Sequence, residues 1–203
     1  MKKLYENIED IHIKGGVSQL TELVTAMDIS LQNIADYTNK LCSELSKYSE
    51  SNKGAQYEKV VNTSLALRNV LFDSSEALND MQNQIVMYQN KIYRYEDMAE
   101  SAQAPNQYLV NKNQNINVET SAVQFNRDEM IHIAAMLRNY SERVIHHAKT
   151  INEKKNTIST VWLDSQYKDF SEFVEDVIKK IVEALKIFDS YTSYLEEKIK
   201  ELQ

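Results

Sequence analysis

The feature that most constrains the fold is a seven-residue repeat of apolar side chains near the end of the sequence. Charged residues fall mostly outside this repeat. The spacing predicts an amphipathic helix of about 37 residues, or about 55 Å, that packs at the shallow angle of helical bundles. Its apolar residues form two rows, the second three positions after the first: Tyr167, Val174, Ile181, Phe188, Leu195 and Leu202, then Phe170, Val177, Ala184 and Tyr191.

Three earlier segments, residues 18–50, 55–98 and 127–160, have the same helical spacing. The chain of 203 residues contains three glycines and one proline. That is too few for the frequent turns of β-sandwiches, α/β barrels and Gly-rich nucleotide-binding folds. We therefore predict an all-α fold in which two antiparallel helical hairpins form an elongated four-helix bundle. In order, its parts are an N-terminal segment, a first hairpin, a connector and a second hairpin: residues 1–17, 18–100, 101–126 and 127–203.

The connector contains the only proline of the chain and is rich in Asn and Gln. A connection of about 25 residues is long for one domain. We expect two of its apolar residues, Ile116 and Val118, to attach it to the bundle surface. A much shorter segment, residues 49–54, is predicted to form the turn of the first hairpin.

Charge and composition argue against several classes of function. The net charge of −7, from 23 Lys and Arg against 30 Asp and Glu, disfavours nucleic-acid binding. No apolar stretch is long enough to span a membrane, and the first residues lack the apolar core of a Sec signal peptide. The single cysteine, Cys42, can form neither an intrachain disulfide nor a cysteine-based zinc site. We expect it to be a core thiol.

No motif predicts an active site. The sequence lacks a phosphate-binding loop and a nucleophile elbow. Glu129 and His132, like Glu9 and His12, have the Glu-x-x-His spacing of di-iron bundles. Each pair lies at the start of its segment, however, where four ligating helices would not converge. We therefore predict a protein that is not an enzyme and has no catalytic residues, cofactor or metal.

The two predicted hairpins align under one gapless shift of 110 residues. Few identities result, but the apolar register and the position of the turn are both preserved. A single shift that keeps both helices and the turn in phase indicates an internal duplication. Among the matched pairs are Ile34 with Val144, Leu41 with Ile151, Tyr57 with Tyr167, Leu67 with Val177 and Leu71 with Ile181.

The two turns carry the residues that are most informative about function. The second contains the only tryptophan of the chain, and the first contains a glycine; each is followed by a tyrosine. Here the sequence resembles the WXG family, the Esx-like substrates of type VII secretion. That family has a Trp-x-Gly turn between two helices and an aromatic residue three positions after the glycine. Each hairpin keeps two of the three marks. The second has Trp162 and Tyr167, with Asp164 in place of the glycine, and the first has Gly54 and Tyr57, with Asn52 in place of the tryptophan.

The WXG family often carries a Tyr-x-x-x-Asp/Glu secretion element just after its second helix. Tyr93 and Asp97 match that element at the end of the first hairpin. We expect this spacing to place both side chains on one helical face. In the family's dimers, the Trp turn of one subunit lies near the tail of the other. The resemblance therefore implies a fused pseudo-heterodimer whose halves share one composite signal.

The resemblance implies a type VII secretion substrate of a Gram-positive bacterium, or a companion that docks a larger effector. Its partners would be the export ATPase, an effector or another small helical protein, and a second copy in a homodimer. It would be secreted without a Sec signal, or cytoplasmic before export. Two alternatives stay open. One is the targeting domain of an LXG-type toxin. Residues 53–57 of this chain resemble the turn of such domains, although Asn52 stands where leucine is expected. The other is a cytosolic helical-bundle scaffold or chaperone.

Overall fold

The structure, a computed structural model, describes residues 17–163 and 165–201. It contains four helices, α1 (Ser18–Tyr48), α2 (Ala55–Tyr95), α3 (Arg127–Thr157) and α4 (Ser165–Glu201), with a 3₁₀ turn at Ile158–Thr160 after α3. No strand occurs in the described residues, so the predicted all-α class is confirmed. Residues 1–16, which include the Glu9 and His12 pair, lie outside the described residues, as do Asp164 and the last two residues.

The helices form a four-helix bundle built from two antiparallel hairpins, as predicted. α1 packs against α2 and α3, and α4 packs against the same two helices. Two contacts along the α1–α3 interface show that these helices are antiparallel: the hydroxyls of Thr38 and Tyr140 lie 3.0 Å apart near the middle of α3, and Lys154 pairs with Glu22 near its end. α1 and α4 therefore run in one direction, and α2 and α3 run in the other.

The core consists of the apolar stripes that the sequence spacing predicts. Isolated helices are marginally stable in water, so burial of these stripes is the main source of helix stability. In α4 the buried residues follow the two predicted rows closely, with Tyr167 and Ala184 only partly buried. The buried set of α4 is Phe170, Val174, Val177, Ile178, Ile181, Leu185, Phe188, Tyr191, Thr192, Leu195 and Ile199.

The connector runs back along the bundle from the end of α2 to the start of α3, lying on α1 and α2. Ile116 is buried and Val118 packs against the core, as expected, and Val110 is buried more deeply than either. Buried polar side chains of α2 bind the connector backbone: Asn79 donates to the carbonyl of Tyr108 at 2.8 Å, and Arg68 donates to the carbonyl of Gln114. The α2 helix therefore has a second layer of chain on its outer side.

Because of these helix directions, the turn of the first hairpin and the turn of the second lie at opposite ends of the bundle. Turn one (residues 49–54) lies beside the start of α3, because the amide of Asn126 donates to the side chain of Asn52. It also lies beside the end of α4, whose Tyr191 hydroxyl donates to the carbonyl of Gln56. The described residues of turn two (158–163) lie at the opposite end, where Trp162 stacks on Tyr88 in the last turns of α2.

Candidate functional site

Trp162 of turn two is a core residue of the bundle end. The chain leaves α3 through the 3₁₀ turn, and the Trp162 amide donates to the carbonyl of Ile158 at 2.8 Å. The indole is 1% exposed. Its ring stacks between Tyr88 of α2 and Phe170 of α4, with centroid distances of 5.0 and 5.3 Å. Trp162 therefore joins the two hairpins, and its indole presents almost no surface to a partner.

Asn52, at the matching position of turn one, is buried as completely as Trp162 but makes polar contacts. Its side-chain amide donates to the carboxylate of Glu129 at 2.6 Å and to the carbonyl of Tyr48 at 3.2 Å. Its side-chain oxygen accepts the amide of Asn126. Asn126 in turn caps α3 by accepting the amide of Glu129. One Asn side chain therefore links the end of α1 to the first turn of α3.

Gly54 allows the connector to approach turn one closely. Its φ of +96° lies in the left-handed region that favours glycine. A Cβ added there would lie 3.2 Å from the carbonyl oxygen of Ala122, and the Gly54 amide already donates to the carbonyl of Glu119 at 2.8 Å. Both the backbone conformation and the lack of space therefore call for glycine at this position.

The two turns share a backbone pattern under the shift of 110 residues. The Tyr57 hydroxyl donates to the carbonyl of Leu45, and the Tyr167 hydroxyl donates to the carbonyl of Lys155 at 3.1 Å. Both bonds span twelve residues, and their partners are matched by the shift. The backbone amide of Asn52 donates a hydrogen bond to the carbonyl of Tyr48, and at the matched positions the amide of Trp162 donates to the carbonyl of Ile158. These shared bonds support the predicted duplication.

Tyr93 and Asp97 do not lie on one helical face, contrary to expectation. α2 ends at Tyr95, and Asp97 adopts the left-handed conformation with φ of 54°. The amides of Met98 and Asp97 donate to the carbonyls of Tyr93 and Arg94, which is the Schellman arrangement that closes a helix. Tyr93 packs partly against the core, whereas Asp97 is exposed in the cap.

The structure brings Trp162 and the Tyr93 segment to the same end of the bundle. Tyr88, the α2 partner of the indole, precedes Tyr93 by five residues, or about 7.5 Å along a helix. Turn one, with Asn52, Gly54 and Tyr57, lies at the opposite end. The candidate site residues therefore fall into two groups separated by the length of the bundle.

The sequence alone missed Tyr88 and Glu129 as partners of the turns. Tyr88 lies on the predicted apolar line of α2, but the helical period does not say which distant turn a residue meets. Glu129 was visible only as part of a Glu-x-x-His pair. In the structure its carboxylate accepts hydrogen bonds from Asn52 and Ser51 instead.

Burial controls the ionisation of the groups near these turns and in the core. Desolvation raises the pKa of the Tyr57 hydroxyl, and the nearby Glu129 and Tyr48 raise it further. Desolvation likewise raises the pKa of the buried Cys42 thiol, although Arg68 opposes this in part. A protonated, buried thiol is a weak nucleophile, which agrees with the expectation of a core cysteine.

Within residues 17–163 and 165–201, no three His, Cys, Asp or Glu side chains come together as a metal site would require. In the same residues, no helix is both long enough and apolar enough to cross a membrane.

Comparisons with known proteins give little further information. No family model and no curated protein matches the sequence. Among solved structures, the chain is similar to an archaeal Dps homologue from Halobacterium salinarum, with 11% identity over 95% of this chain and 93% of that one. The TM-score is 0.38, which is too low to carry an argument about either chain.

Proposed function

We propose that this protein is a non-enzymatic type VII secretion substrate, or the companion of a larger effector, built as a fused pseudo-heterodimer of two WXG-like hairpins. The observation that carries the proposal is the stacking of Trp162 on Tyr88. It joins the Trp turn of one hairpin to the second helix of the other, close to the Tyr93 element. That is the arrangement that the resemblance implies for a dimer of the family.

The two parts of the composite signal would then have different roles. Trp162 is buried, so its role is to fix the end of α2 against hairpin two. A partner could instead contact the residues that follow Tyr93: Tyr95 is 77% exposed, and Asp97 is held outward by the Schellman cap. The export ATPase would be the partner of this segment.

Export is the measurement that tests this proposal. We would quantify the protein in culture supernatants of its host with and without the type VII ATPase. The expected result is export that disappears when the ATPase is deleted. Protein that stays in the cytosol of both strains would contradict the proposal and favour a scaffold or chaperone. A toxic domain following residue 203 in the full polypeptide would favour the LXG-type alternative.

Matched variants then test the site. Tyr93→Ala and Asp97→Asn should reduce export while the far-ultraviolet circular dichroism stays that of the parent. Asp80→Asn removes the same charge from an exposed position earlier on α2 and should leave export unchanged. Trp162→Phe keeps a ring between Tyr88 and Phe170 and should retain more export than Trp162→Ala. Unchanged export of Tyr93→Ala and Trp162→Ala together would rule out the composite signal.

A further inference from the structure

We propose that the groove between α1 and α3 binds a small organic anion that joins a carboxylate to an aromatic or aliphatic body. The groove has a volume of about 570 Å³, which lies within the range of small-molecule sites in proteins. α1 lines it with residues that include Tyr37, Lys40 and Glu44, and α3 with residues that include Met136 and Arg143. None of the lining residues belongs to turn two or to the Tyr93 segment, so the inference does not depend on export.

Two cations at the groove have no carboxylate partner in residues 17–163 and 165–201. Lys40 and Arg143 are both exposed, and neither forms a salt bridge within these residues. The carboxylate that lines the groove, Glu44, is paired with Lys47 at 2.8 Å. The chain as a whole has a net charge of −7, so the two uncompensated positive charges set the groove apart from the protein around it. A ligand that complements them is an anion.

The guanidinium of Arg143 is held in place by neutral groups. Its Nε donates to the side-chain oxygen of Asn139 at 2.6 Å, and its Nη1 donates to the hydroxyl of Tyr37 at 2.8 Å. The guanidinium also lies over the Tyr37 ring, 4.8 Å from the ring centroid. These contacts do not use Nη2, which can donate to a carboxylate. A guanidinium that is already oriented loses little freedom when it binds an anion.

Arg138, five residues earlier on α3, shows how this protein uses an arginine to join helices. Its guanidinium donates to the carboxylate of Glu196 and to the hydroxyl of Ser193, both at 3.0 Å, and lies 3.8 Å from the carboxylate of Asp189. The charge of Arg138 is therefore compensated by α4. Arg143 has an ordered guanidinium as well, but its partners carry no charge, so its own charge is available to a ligand.

The other half of the α1–α3 interface is closed by an ion pair. Under the shift of 110 residues, Glu44 corresponds to Lys154 and His132 corresponds to Glu22. Lys154 and Glu22 pair across the interface at 3.5 Å. Glu44 instead pairs with Lys47 on its own helix, and no ion pair in the described residues joins it to α3. The groove therefore lies where one half of the interface lacks the bond that closes the other half.

Apolar surface beside the two cations is available to the body of the ligand. Met136 is half-buried and Ala135 is exposed, and both line the groove. The four-carbon stem of Lys40 offers further apolar surface below its charge. A carboxylate alone gains little at an exposed cation, because water competes for it. An attached ring or chain removes Met136 and Ala135 from water as it binds, so the favoured anion is amphipathic.

Binding of 2-naphthoate to the full protein, followed by ¹H–¹⁵N nuclear magnetic resonance, tests this inference. We expect saturable shifts with a Kd on the order of 1 mM, typical of a weak fragment, confined to residues 37–44 and 132–143. 2-Naphthamide has the same rings without the charge, and acetate has the charge without the rings. Each should bind about tenfold more weakly or worse. Equal affinity for either control, or shifts spread over the surface, would overturn the proposal.

Matched variants then locate the site. Arg143→Gln removes both the charge and the forked donor, so it should weaken the binding of 2-naphthoate about tenfold. Arg143→Lys keeps the charge alone and should bind with intermediate affinity. Lys149→Gln removes a charge from an exposed position of α3 that does not line the groove, and should leave the affinity unchanged. Equal losses in Arg143→Gln and Lys149→Gln would show that the anion responds only to the net charge of the protein, and would rule out the site.

Discussion

The two hairpins of this protein share a backbone plan but bury different chemistry. The second helix of hairpin two buries an almost wholly apolar stripe, in which Thr192 is the polar member among the described residues. The second helix of hairpin one buries a whole set of polar side chains: Ser64, Arg68, Ser74, Ser75, Asn79, Gln82 and Gln89. At the positions matched by the shift, Arg68 corresponds to Ile178 and Gln89 to Ile199.

The connector explains part of this difference. It covers α2 with a non-helical chain whose carbonyls would be buried without partners against an apolar helix. Arg68 and Asn79 donate to two of those carbonyls. Gln82 and Gln89 instead donate to Val24 and Thr21 of α1. Arg68 and Asn79 are therefore polar side chains that the connector requires of hairpin one, whereas the apolar stripe of α4 binds no such segment in the described residues.

The largest expected effect is at Trp162. Replacing this buried ring with alanine removes its stacking on Tyr88 and Phe170 and leaves a cavity. The free energy of unfolding should fall by about 3–5 kcal/mol, measured by urea denaturation followed by circular dichroism. Leu163→Ala, at the exposed neighbouring position, should cost less than about 0.5 kcal/mol. Similar losses for both variants would show that the indole does not join the hairpins.

Arg68 and Ile178 allow a direct comparison of the two hairpins. Arg68→Met keeps an unbranched apolar stem but removes the bond to Gln114, so stability should fall by about 2 kcal/mol. Ile178→Met at the matching position exchanges apolar groups of similar volume and should cost less than about 1.5 kcal/mol.

Amide hydrogen exchange would locate these two effects. Exchange in residues 108–118 should accelerate in Arg68→Met before the rest of the bundle opens, because the connector loses a direct contact. Ile178→Met should leave the relative protection of the connector unchanged. Equal protection of residues 108–118 in the two variants would show that Arg68 does not hold the connector against α2.

The shared tyrosine bonds provide a smaller test of the duplication. Tyr57→Phe and Tyr167→Phe each remove one hydroxyl that donates to a carbonyl twelve residues earlier. Each should reduce the free energy of unfolding by about 0.5–1.5 kcal/mol. The loss should be larger for Tyr57, because this residue is fully buried whereas Tyr167 is partly exposed. A variant that loses nothing in urea denaturation would show that its bond does not stabilise the turn.

Tyr57 also predicts a dependence of stability on alkaline pH. Burial raises the pKa of its hydroxyl above the ordinary value near 10, so the unfolded chain ionises first. The stabilisation is complete below about pH 10 and is lost as the pH rises toward the folded-state pKa. Between pH 9 and pH 11, the free energy of unfolding should therefore fall less steeply for Tyr57→Phe than for the parent. Equal pH dependence of the free energy of unfolding in the two proteins would show that the ionisation of Tyr57 does not contribute to this loss.

The sequence predicted the helices because their information is local and repeated over many turns. The starts of α2 and α3 agree with the predicted segments beginning at residues 55 and 127, since turn residues precede the first and a cap precedes the second. Contacts between turns and distant helices could not be predicted in the same way. The pairing of Asn52 with Glu129 joins residues that are remote in sequence and belong to no periodic pattern.

The position of Asp97 shows a second reason why prediction from sequence fell short. The spacing from Tyr93 to Asp97 fits a helical face only if the helix continues, and no glycine or proline signals its end there. The stop depends on Asp97 adopting a conformation that most residues avoid. Helix length at such a point is decided by the local cap rather than by the apolar stripe.

The smallest expected effect, at Asp97, separates the stability of the site from its proposed role. Asp97→Gly should raise the free energy of unfolding by about 0.5 kcal/mol, because glycine adopts the left-handed conformation without a Cβ penalty. Alanine has a Cβ and lacks the short polar side chain by which Asp tolerates this conformation, so Asp97→Ala should lower the free energy of unfolding by a similar amount. If the carboxylate contributes to export, both variants should be exported less well than the parent even though their stabilities change in opposite directions. Export that followed stability instead would assign Asp97 to the helix stop alone.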